Sequence, residues 1–254
     1  MYNANYSTNI GILKLLAWSE GLQGGSLNES LRVPGEKMEW IKSDQYTSIR
    51  LSKNHARRMS QLSKTTVGLA LDVAFGYEIQ HAVFSTRFGE IQNTVSLVEM
   101  LVKGEELSPT KFSQSVHNTS SGLFSIFGST NISLETVSAG KSSFIAGFMS
   151  SIGHLKQYPT SNVLYVYSEE SMPEVLASFN PDPSISPVGV AMILTLAESG
   201  YGMRISQSTL GMEDELISEP GNQVHVFLRS IFCGVSRFNI RENESVWSFN
   251  HISN

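Results

Sequence analysis

The sequence contains little charge, a single cysteine and no apolar run long enough to span a membrane. Charged residues make up 16% of the 254 positions, below the share of roughly a quarter in typical soluble domains, and this favours a surface partly covered by another protein. The single cysteine excludes an internal disulfide. It falls in an amphipathic pattern from Val224 to Val235, which predicts a helix on which Cys233 is a small buried hydrophobe.

Positive charge is also scarce, since the net charge is -5. Because no basic stripe is present, nucleic acid is not expected as a partner. The amino-terminal stretch MYNANYSTNIGILKLL has no basic region, and Lys14 interrupts its apolar residues, so we expect neither a signal peptide nor a membrane span. The sequence thus predicts a cytoplasmic protein, and we expect no metal and no cofactor.

The pattern of apolar residues predicts one α/β domain over residues 1–254, because no linker divides the chain. Helix Ala139–Ile152 is apolar on nearly every side, so it belongs inside a layered domain. The other predicted helices cover His55–Phe75, Thr94–Val102, the residues after Ser108-Pro109, and Val224–Val235. The predicted strands are Ile10–Trp18, Gln80–Thr86, Ile132–Thr136, Val163–Tyr167 and Val188–Ala197, with Met203–Ser208 as an extension of the sheet.

The turn at Ser138 joins a short strand to the buried helix, and three interpretations compete for it. A phosphate-binding loop would end in Gly140-Lys141-Ser142, but its first glycine is replaced by Glu135. A serine hydrolase elbow lacks its leading glycine, which is replaced by Thr136, and the S-x-x-K pair of Ser138 and Lys141 has no S-D-N or K-T-G partner. In the third interpretation the Ser138 hydroxyl only caps the helix. Local chemistry favours the cap.

A longer series of motifs carries a family resemblance. The pattern N-x-x-x-G-x-x-S-I-x-F-G, followed by a short strand and T-x-[C/S]-A-[S/G], resembles the amino-terminal half of β-ketoacyl synthases in the thiolase superfamily. In this chain those letters are Asn118, Gly122, Ser125–Gly128 and Thr136–Gly140. Further landmarks are Arg57–Ser60, Phe84–Glu90, Leu107–Pro109, Ser115–Asn118, Ser138–Gly140 and Val163–Glu170, and by these the chain is still more similar to short chain-length-factor subunits of aryl polyene and related fatty-acid-like type II synthases. They span roughly residues 50 to 200.

This resemblance implies half of a thiolase fold, a three-layer α/β/α arrangement with a mixed sheet of about five strands and a buried helix after the nucleophile-position turn. Full-length synthases dimerise through the strand before the nucleophile. In this chain that strand carries Ile132, Leu134 and Thr136, so we expect it to pair with a full-length β-ketoacyl synthase subunit. Its edge would otherwise be a liability for a monomer.

The resemblance also places Ser138 at the position of the acyl-accepting cysteine. A thiol exchanges acyl groups readily with a thioester, whereas a serine needs an adjacent general base. None of the six histidines lies in a synthase histidine motif. We therefore expect a non-catalytic subunit whose partner supplies the catalytic residues and the docking surface for an acyl carrier protein. The alternative is a stand-alone serine acyltransferase or thioesterase that uses Ser138.

Four further residues are implied by the same resemblance to lie at the dimer interface and to wall the partner's acyl pocket: Phe112, Ser115, Val116 and Asn118. From the sequence alone, Phe112 and Val116 are equally well interpreted as ordinary core residues.

Charged residues near strand and helix ends have local interpretations as well. Arg57-Arg58 is either a site for an anion or a solvated helix start that pairs with a nearby carboxylate, and the second interpretation is preferred. Arg87 and Glu90 follow the predicted strand at Gln80–Thr86, where strand ends of α/β sheets face sites. We expect these two residues to form an ion pair with each other.

Overall fold

The computed structural model describes residues 6–20, 29–179, 186–196, 200–209, 223–242 and 244–252. In this part of the chain, ten strands form one sheet. The strands are β1 (Tyr6–Ser19), β2 (Glu29–Arg32), β3 (Met38–Lys42), β4 (His81–Ser85), β5 (Ser133–Val137), β6 (Val163–Glu169), β7 (Val188–Thr195), β8 (Tyr201–Thr209), β9 (Arg237–Glu242) and β10 (Ser245–His251). The α-helices of the same residues are α1 (Lys53–Ala56), α2 (Gln61–Ala74), α3 (Ile91–Val102), α4 (Pro109–Ser113), α5 (Thr119–Phe127), α6 (Ser143–Gln157) and α7 (Gln223–Phe232).

The strand order of the sheet is β5-β4-β6-β7-β1-β8-β10-β9, with β3 paired to the second half of β1 and β2 paired to β3. Strands β5, β4 and β6 run parallel to one another. From β6 onward along this order every neighbouring pair is antiparallel. The predicted mixed sheet is confirmed, but it has ten strands rather than about five.

Helices cover both faces of the sheet, which makes the predicted three layers. Alternate residues of β6 point to opposite faces: Tyr165 packs in the core on one side, and Leu164 and Val166 pack in the core on the other. The first core includes residues of α6 and α7, and the second includes residues of α2 and α5. Every residue of β6 and β7 is buried, as expected for strands covered on both faces.

The buried helix that the sequence predicts is α6, and it packs against β4 and β6. Its side chains Phe144, Phe148 and Ile152 are buried. Gly147 lies against the sheet so closely that an added Cβ would be 2.7 Å from Ser85 and 2.8 Å from Tyr165. The helix begins at Ser143, later than predicted, because a 3-10 turn intervenes after residue 139.

The long helix predicted at His55–Phe75 is interrupted. The chain forms α1, leaves the helical conformation at Ser60, and then forms α2. The Ser60 side chain accepts a hydrogen bond from the Ser63 backbone N–H at 2.9 Å, which is a helix cap. Helix α3 begins at Ile91, three residues before the predicted start.

The prediction that Cys233 is buried on a helix is wrong. Helix α7 ends at Phe232, and Cys233 is exposed beyond it. The chain leaves the helix at Gly234, whose φ of 69° favours glycine, and the Val235 N–H bonds to the Ser230 carbonyl at 2.9 Å.

The remaining predicted strands are confirmed with shifted ends. Strand β1 extends the predicted Ile10–Trp18 strand in both directions, and β8 replaces the predicted extension at Met203–Ser208. Strand β7 ends at Thr195, and the last predicted residue, Ala197, lies outside the described residues. None of the helices in the described ranges is long and apolar enough to cross a membrane.

Candidate functional site

The three parallel strands β4, β5 and β6 end at one edge of the sheet, which we call the carboxyl edge. The loop after β4 carries Arg87 and Glu90, the turn after β5 carries Ser138, and β6 ends in Glu169 and Glu170. Since the carboxyl ends of parallel strands are the usual place for sites in such sheets, this edge is the candidate site.

Ser138 is exposed at the carboxyl edge, and its hydroxyl donates to the main-chain carbonyl of Arg87 at 3.1 Å. The expected cap is wrong, because neither the 3-10 turn after residue 139 nor α6 has a side-chain cap hydrogen bond. The Ser143 hydroxyl accepts from the Ala139 N–H at 2.9 Å, but this N–H precedes the helix. Lys141, the second member of the S-x-x-K pair, is also exposed.

A serine nucleophile requires a base within hydrogen-bond reach. Within the described ranges, the Ser138 hydroxyl has no hydrogen bond to a histidine or a lysine nitrogen. His117 lies at the neighbouring loop, where a Cβ added to Gly89 would be 3.1 Å from its Nδ1 atom. The carbonyl contact orients the Ser138 hydroxyl but does not activate it, because a carbonyl oxygen does not remove a proton.

Glu90 does not pair with Arg87 as expected. Its buried carboxylate accepts from the Ser60 hydroxyl at 2.8 Å, from the Ser63 hydroxyl at 2.5 Å and from the Asn93 amide at 3.1 Å. Burial raises the pKa of Glu90, and these hydrogen bonds oppose the rise. The Arg87 guanidinium instead lies 4.6 Å from the ring centre of Phe88. The sequence analysis did not identify Ser60 and Ser63 as partners of Glu90, so these hydrogen bonds were missed.

Two further carboxylates hold the loops of the carboxyl edge. Glu169 is buried and accepts from the Arg87 backbone N–H, and burial raises its pKa to about 7. Glu170 accepts from the Gln92 N–H at 3.1 Å, and burial raises its pKa to about 7 as well. In the sequence both acids follow the predicted strand Val163–Tyr167, but this position does not show that they bind the loop after β4 and the start of α3.

A cavity beside Glu90 is too small for an acyl chain. A cavity of about 10 Å³ lies between Glu90, His117, Ser120 and Thr136, which is room for about one water molecule. The described ranges also contain no group of three or more metal-ligating side chains. The residues around this cavity therefore pack closely beneath the loop after β4.

The predicted interface strand is confirmed as an edge of the sheet. Strand β5 pairs only with β4 among the described residues. Ile132 and Leu134 are half-buried against the core of α2 and α5, and Thr136 lies 3.1 Å from the Ser121 hydroxyl. These three residues hold the strand on the domain, while its outer edge carries no strand of the described chain.

The other predicted pocket residues lie at the surface. Phe112 is 63% exposed and Val116 is 45% exposed, so the interpretation of these two as core residues is wrong. Ser115 follows α4, and its hydroxyl donates to the Phe112 carbonyl at 2.9 Å. Asn118 precedes α5 and makes no side-chain cap. Phe112 and Val116 are large apolar side chains open to contact with another molecule.

The two arginines before α2 are exposed. Among the described residues, neither Arg57 nor Arg58 forms an ion pair, contrary to the preferred interpretation. The Arg58 carbonyl accepts from the Gln114 amide at 2.6 Å, which ties this segment to the end of α4.

Comparison with known proteins identifies the family. The model of the β-ketoacyl synthase N-terminal domain matches residues 34–250. Among curated proteins, no sequence matches.

Solved structures show the same fold at low sequence identity. The ketosynthase ApeO in complex with its chain length factor ApeC from Xenorhabdus doucetiae matches with a TM-score of 0.70 and 24% identity, over 81% of this chain and 83% of that one. A β-ketoacyl synthase from Burkholderia phymatum STM815 matches with a TM-score of 0.56 and 11% identity, over 90% and 71% of the two chains. The ishigamide ketosynthase/chain length factor matches with a TM-score of 0.51 and 14% identity, over 73% and 57%. By its sequence and its thiolase-like fold, the chain belongs to the β-ketoacyl synthase N-terminal domain family.

Proposed function

We propose that this chain is a non-catalytic subunit, similar to a chain length factor, that pairs with a full-length β-ketoacyl synthase and helps to shape its acyl pocket. The observation that carries the proposal is the geometry of β5. This strand leads directly to the nucleophile position, and among the described residues its outer edge is unpaired. A second subunit that adds its own strand there would satisfy the backbone groups of that edge.

The chemistry at Ser138 supports a non-catalytic role. The residue is a serine, and its hydroxyl is bound to a carbonyl oxygen rather than to a base. A condensing partner would supply the cysteine, the histidines and the docking surface for an acyl carrier protein. The competing function, a serine acyltransferase or thioesterase, requires a base that the described part of this edge does not place on Ser138.

The Xenorhabdus complex supports the same assignment by its fold. The match covers 81% of this chain and 83% of that one, so the two chains share the fold over most of their residues. That complex pairs a ketosynthase with a chain length factor. We extend the assignment to aryl polyene or related fatty-acid and polyketide synthesis in the cytoplasm, following the resemblance of the sequence motifs.

Shaping of the pocket would fall to Phe112, Ser115, Val116 and Asn118. Because Phe112 and Val116 are exposed, a partner would bury them in the dimer. The depth of a shared pocket then limits the length of the acyl chain, since each added unit needs room.

Co-expression with a full-length synthase from the same source tests the pairing, and native mass spectrometry is the readout. The expected mass is that of a complex containing both chains. Recovery of two separate species would contradict the proposal. Incubation with acyl-carrier thioesters distinguishes the alternative function: label on the partner's cysteine supports the proposal, whereas label on Ser138 of the isolated chain supports an acyltransferase.

The variant Val116→Trp tests pocket shaping separately. We expect the complex to form and to condense, but to release shorter products, because the indole fills part of the pocket. Product lengths measured by mass spectrometry provide the readout, and Lys156→Trp on the exposed side of α6 is the control. Unchanged lengths in the Val116 variant would remove the proposed role of this segment.

A further inference from the structure

Two histidine rings stack face to face beside the edge strand β5. The rings of His81, the first residue of β4, and His154 of α6 have centres 4.0 Å apart and planes inclined by 8°. Ser85, the last residue of β4, lies four residues further on, or about 13 Å along the strand. The pair is therefore at the opposite end of the parallel strands from the carboxyl edge, and it is separate from the site at Ser138.

The His81 ring is buried without a hydrogen bond. The residue is 6% exposed, and neither ring nitrogen has a hydrogen-bond partner among the described residues. A neutral imidazole has one N–H donor and one acceptor nitrogen, and buried groups of this kind are normally bonded. Packing alone does not explain why a ring with two unbonded nitrogens occupies this position.

A carboxylate of β5 lies beside the same ring. Glu135 Oε2 is 3.6 Å from His81 Nε2, which is within the range of an ion pair but too long for a hydrogen bond. That oxygen accepts from the Ser150 hydroxyl of α6 at 2.7 Å. The Glu135 side chain is 44% exposed, so water and protons reach the carboxylate next to the buried ring.

The charges that act on the His154 ring come from its two neighbours. Burial lowers the pKa of His154, the charge of His81 lowers it further, and Glu135 opposes both. Tyr158 is the other titratable side chain in contact, with a ring centre 4.9 Å from that of His154.

The other elements around the pair contribute little charge. Strand β6 places the apolar Val163 beside His81. Lys156 on α6 and Glu78 in the loop before β4 are exposed, so water and salt screen their charges. Protonation of the pair therefore depends on His81, His154 and Glu135.

The stack accommodates one proton but not two. One charge can lie on His81, where Glu135 balances it and a neutral His154 ring covers it. A second proton on His154 places two cations 4.0 Å apart, and like charges at that distance disfavour each other. Since the pKa of His154 is lowered in the folded protein, the stack stabilises the fold above the unfolded histidine pKa of about 6.5, and this stabilisation is lost as pH falls.

We propose that the His81–His154 pair is an acid-sensitive latch, which holds β5 against β4 and α6 near neutral pH and releases it when both rings carry a proton. The protons come from water. The half-buried His154 ring then turns outward, and Glu135 moves from Ser150 towards the charged His81. Because β5 is the proposed pairing strand, acid also weakens the binding of a full-length synthase. This last consequence rests on the proposed function, whereas the latch does not.

Amide hydrogen exchange of the free chain at about pH 7 and about pH 5 tests the latch. After correction for the intrinsic rate, we expect residues 133–137 to exchange at least about fivefold faster at the lower pH. His154→Phe keeps a ring against His81 but takes up no proton, so its β5 exchange should be the same at both. His55→Phe is the control, because it alters a histidine that stacks on Phe127 at 4.2 Å, and it should keep the acid response. No acid response in the unaltered chain, or a full response in His154→Phe, would overturn the proposal.

Histidine NMR spectra of the free chain measure the coupling of the two rings. In His81→Phe the like charge is absent, so we expect His154 to titrate at a higher pH than in the unaltered chain. A His154 titration that is the same in both chains would contradict the latch.

Binding to a full-length synthase at the same two pH values tests the consequence for the partner. We expect the lower pH to weaken the unaltered chain at least about fivefold more than His154→Phe, as measured by surface plasmon resonance. The synthase's own response to pH is common to both chains and cancels. Equal losses would overturn the link between the latch and pairing. Acid-dependent exchange in a chain that binds no synthase at either pH would contradict the proposed function and support the latch.

Discussion

The two ends of the main strand order differ in how their edges are protected. Strand β9 carries three charged residues among six, Arg237, Arg241 and Glu242, and charge is a common device that keeps a sheet edge from pairing with another chain. Strand β5 carries one charge among five residues, Glu135. Its carboxylate accepts from the Ser150 hydroxyl of α6 at 2.7 Å, so this charge is directed back to its own domain.

This difference supports the proposal that a partner pairs with β5 rather than with β9. An edge strand with little charge is an aggregation hazard in a monomer, whereas it is expected where a second chain covers it. The end at β5 also lies beside the carboxyl edge, with Ser138 directly after the strand. The end at β9 has the composition of a surface that stays in water. The comparison therefore supports pairing through β5.

The largest expected effect comes from the packing that supports the β5 end. Gly147 of α6 faces Ser85 of β4, and an added Cβ would lie 2.7 Å away. We expect Gly147→Val to lower the free energy of unfolding by about 3 kcal/mol or more, because the sheet cannot move away. Urea denaturation measures the change.

A matched control lies on the same helix. Gly153 has no atom within 4 Å of an added Cβ, so Gly153→Ala should be neutral or stabilising by about 0.5–1 kcal/mol. Equal losses in Gly147→Val and Gly153→Ala would show that the close contact of α6 with β4 does not support this end of the sheet.

The second effect concerns pH, since buried carboxylates lie at the carboxyl edge. The pKa of Glu169 is raised by burial to about 7 in the folded protein. The folded state therefore prefers the protonated form of Glu169. This preference stabilises the folded protein fully below the pKa of the unfolded state, and the stabilisation is lost as pH rises towards 7. Near pH 6 the free energy of unfolding should decrease as pH rises. We expect Glu169→Gln to make this slope shallower by up to ~1.4 kcal/mol per pH unit.

Urea denaturation between pH 5 and pH 8 checks this prediction. Glu170, with a pKa of about 7, should leave a residual slope in the Glu169 variant. Glu242→Gln, at the β9 end, is the comparison variant and should retain the slope of the unaltered chain. A Glu169 variant with an unchanged slope would contradict the role given to burial.

The smallest expected effect concerns the charge on the edge strand β5. Ser133 is an exposed residue of β5, and Ser133→Lys gives this edge a charge like those of β9. We expect binding to a full-length synthase to weaken about tenfold, or ~1.4 kcal/mol, with unchanged thermal stability. Surface plasmon resonance provides the affinities. Arg237→Ser at β9 is the control. A loss of binding in that variant would show that the synthase binds at β9 rather than at β5.

Much of the fold follows from periodicity in the sequence. Continuous apolar runs predicted β6 and β7 because both faces of those strands are covered. The helix after Ser108-Pro109 was also predicted, and the Ser108 hydroxyl caps it by accepting from the Lys111 N–H at 3.3 Å. Short strands such as β3 and β9 were missed, since five or six mixed residues give too weak a period to distinguish a strand from a loop.

The candidate site was only partly predictable. The order of the motifs predicted that Ser138 directly follows the edge strand, because the positions of both depend on residues that are close together in the sequence. The partners of Glu90 and Glu169 were not found, since Ser63 and Arg87 reach them across 27 and 82 positions of the chain. The cap at Ser138 was assigned wrongly because the Ser138 hydroxyl donates to the Arg87 carbonyl, a residue 51 positions earlier in the chain.

Amide hydrogen exchange of β5 tests the central claim most directly. It should be measured by mass spectrometry on the free chain and on a mixture with a full-length synthase. The account predicts slower exchange at residues 133–137 in the mixture and unchanged exchange at β9, since the partner strand bonds only to the outer N–H groups of β5. Unchanged exchange at β5 in a mixture that forms a complex, or protection at β9 instead, would contradict it.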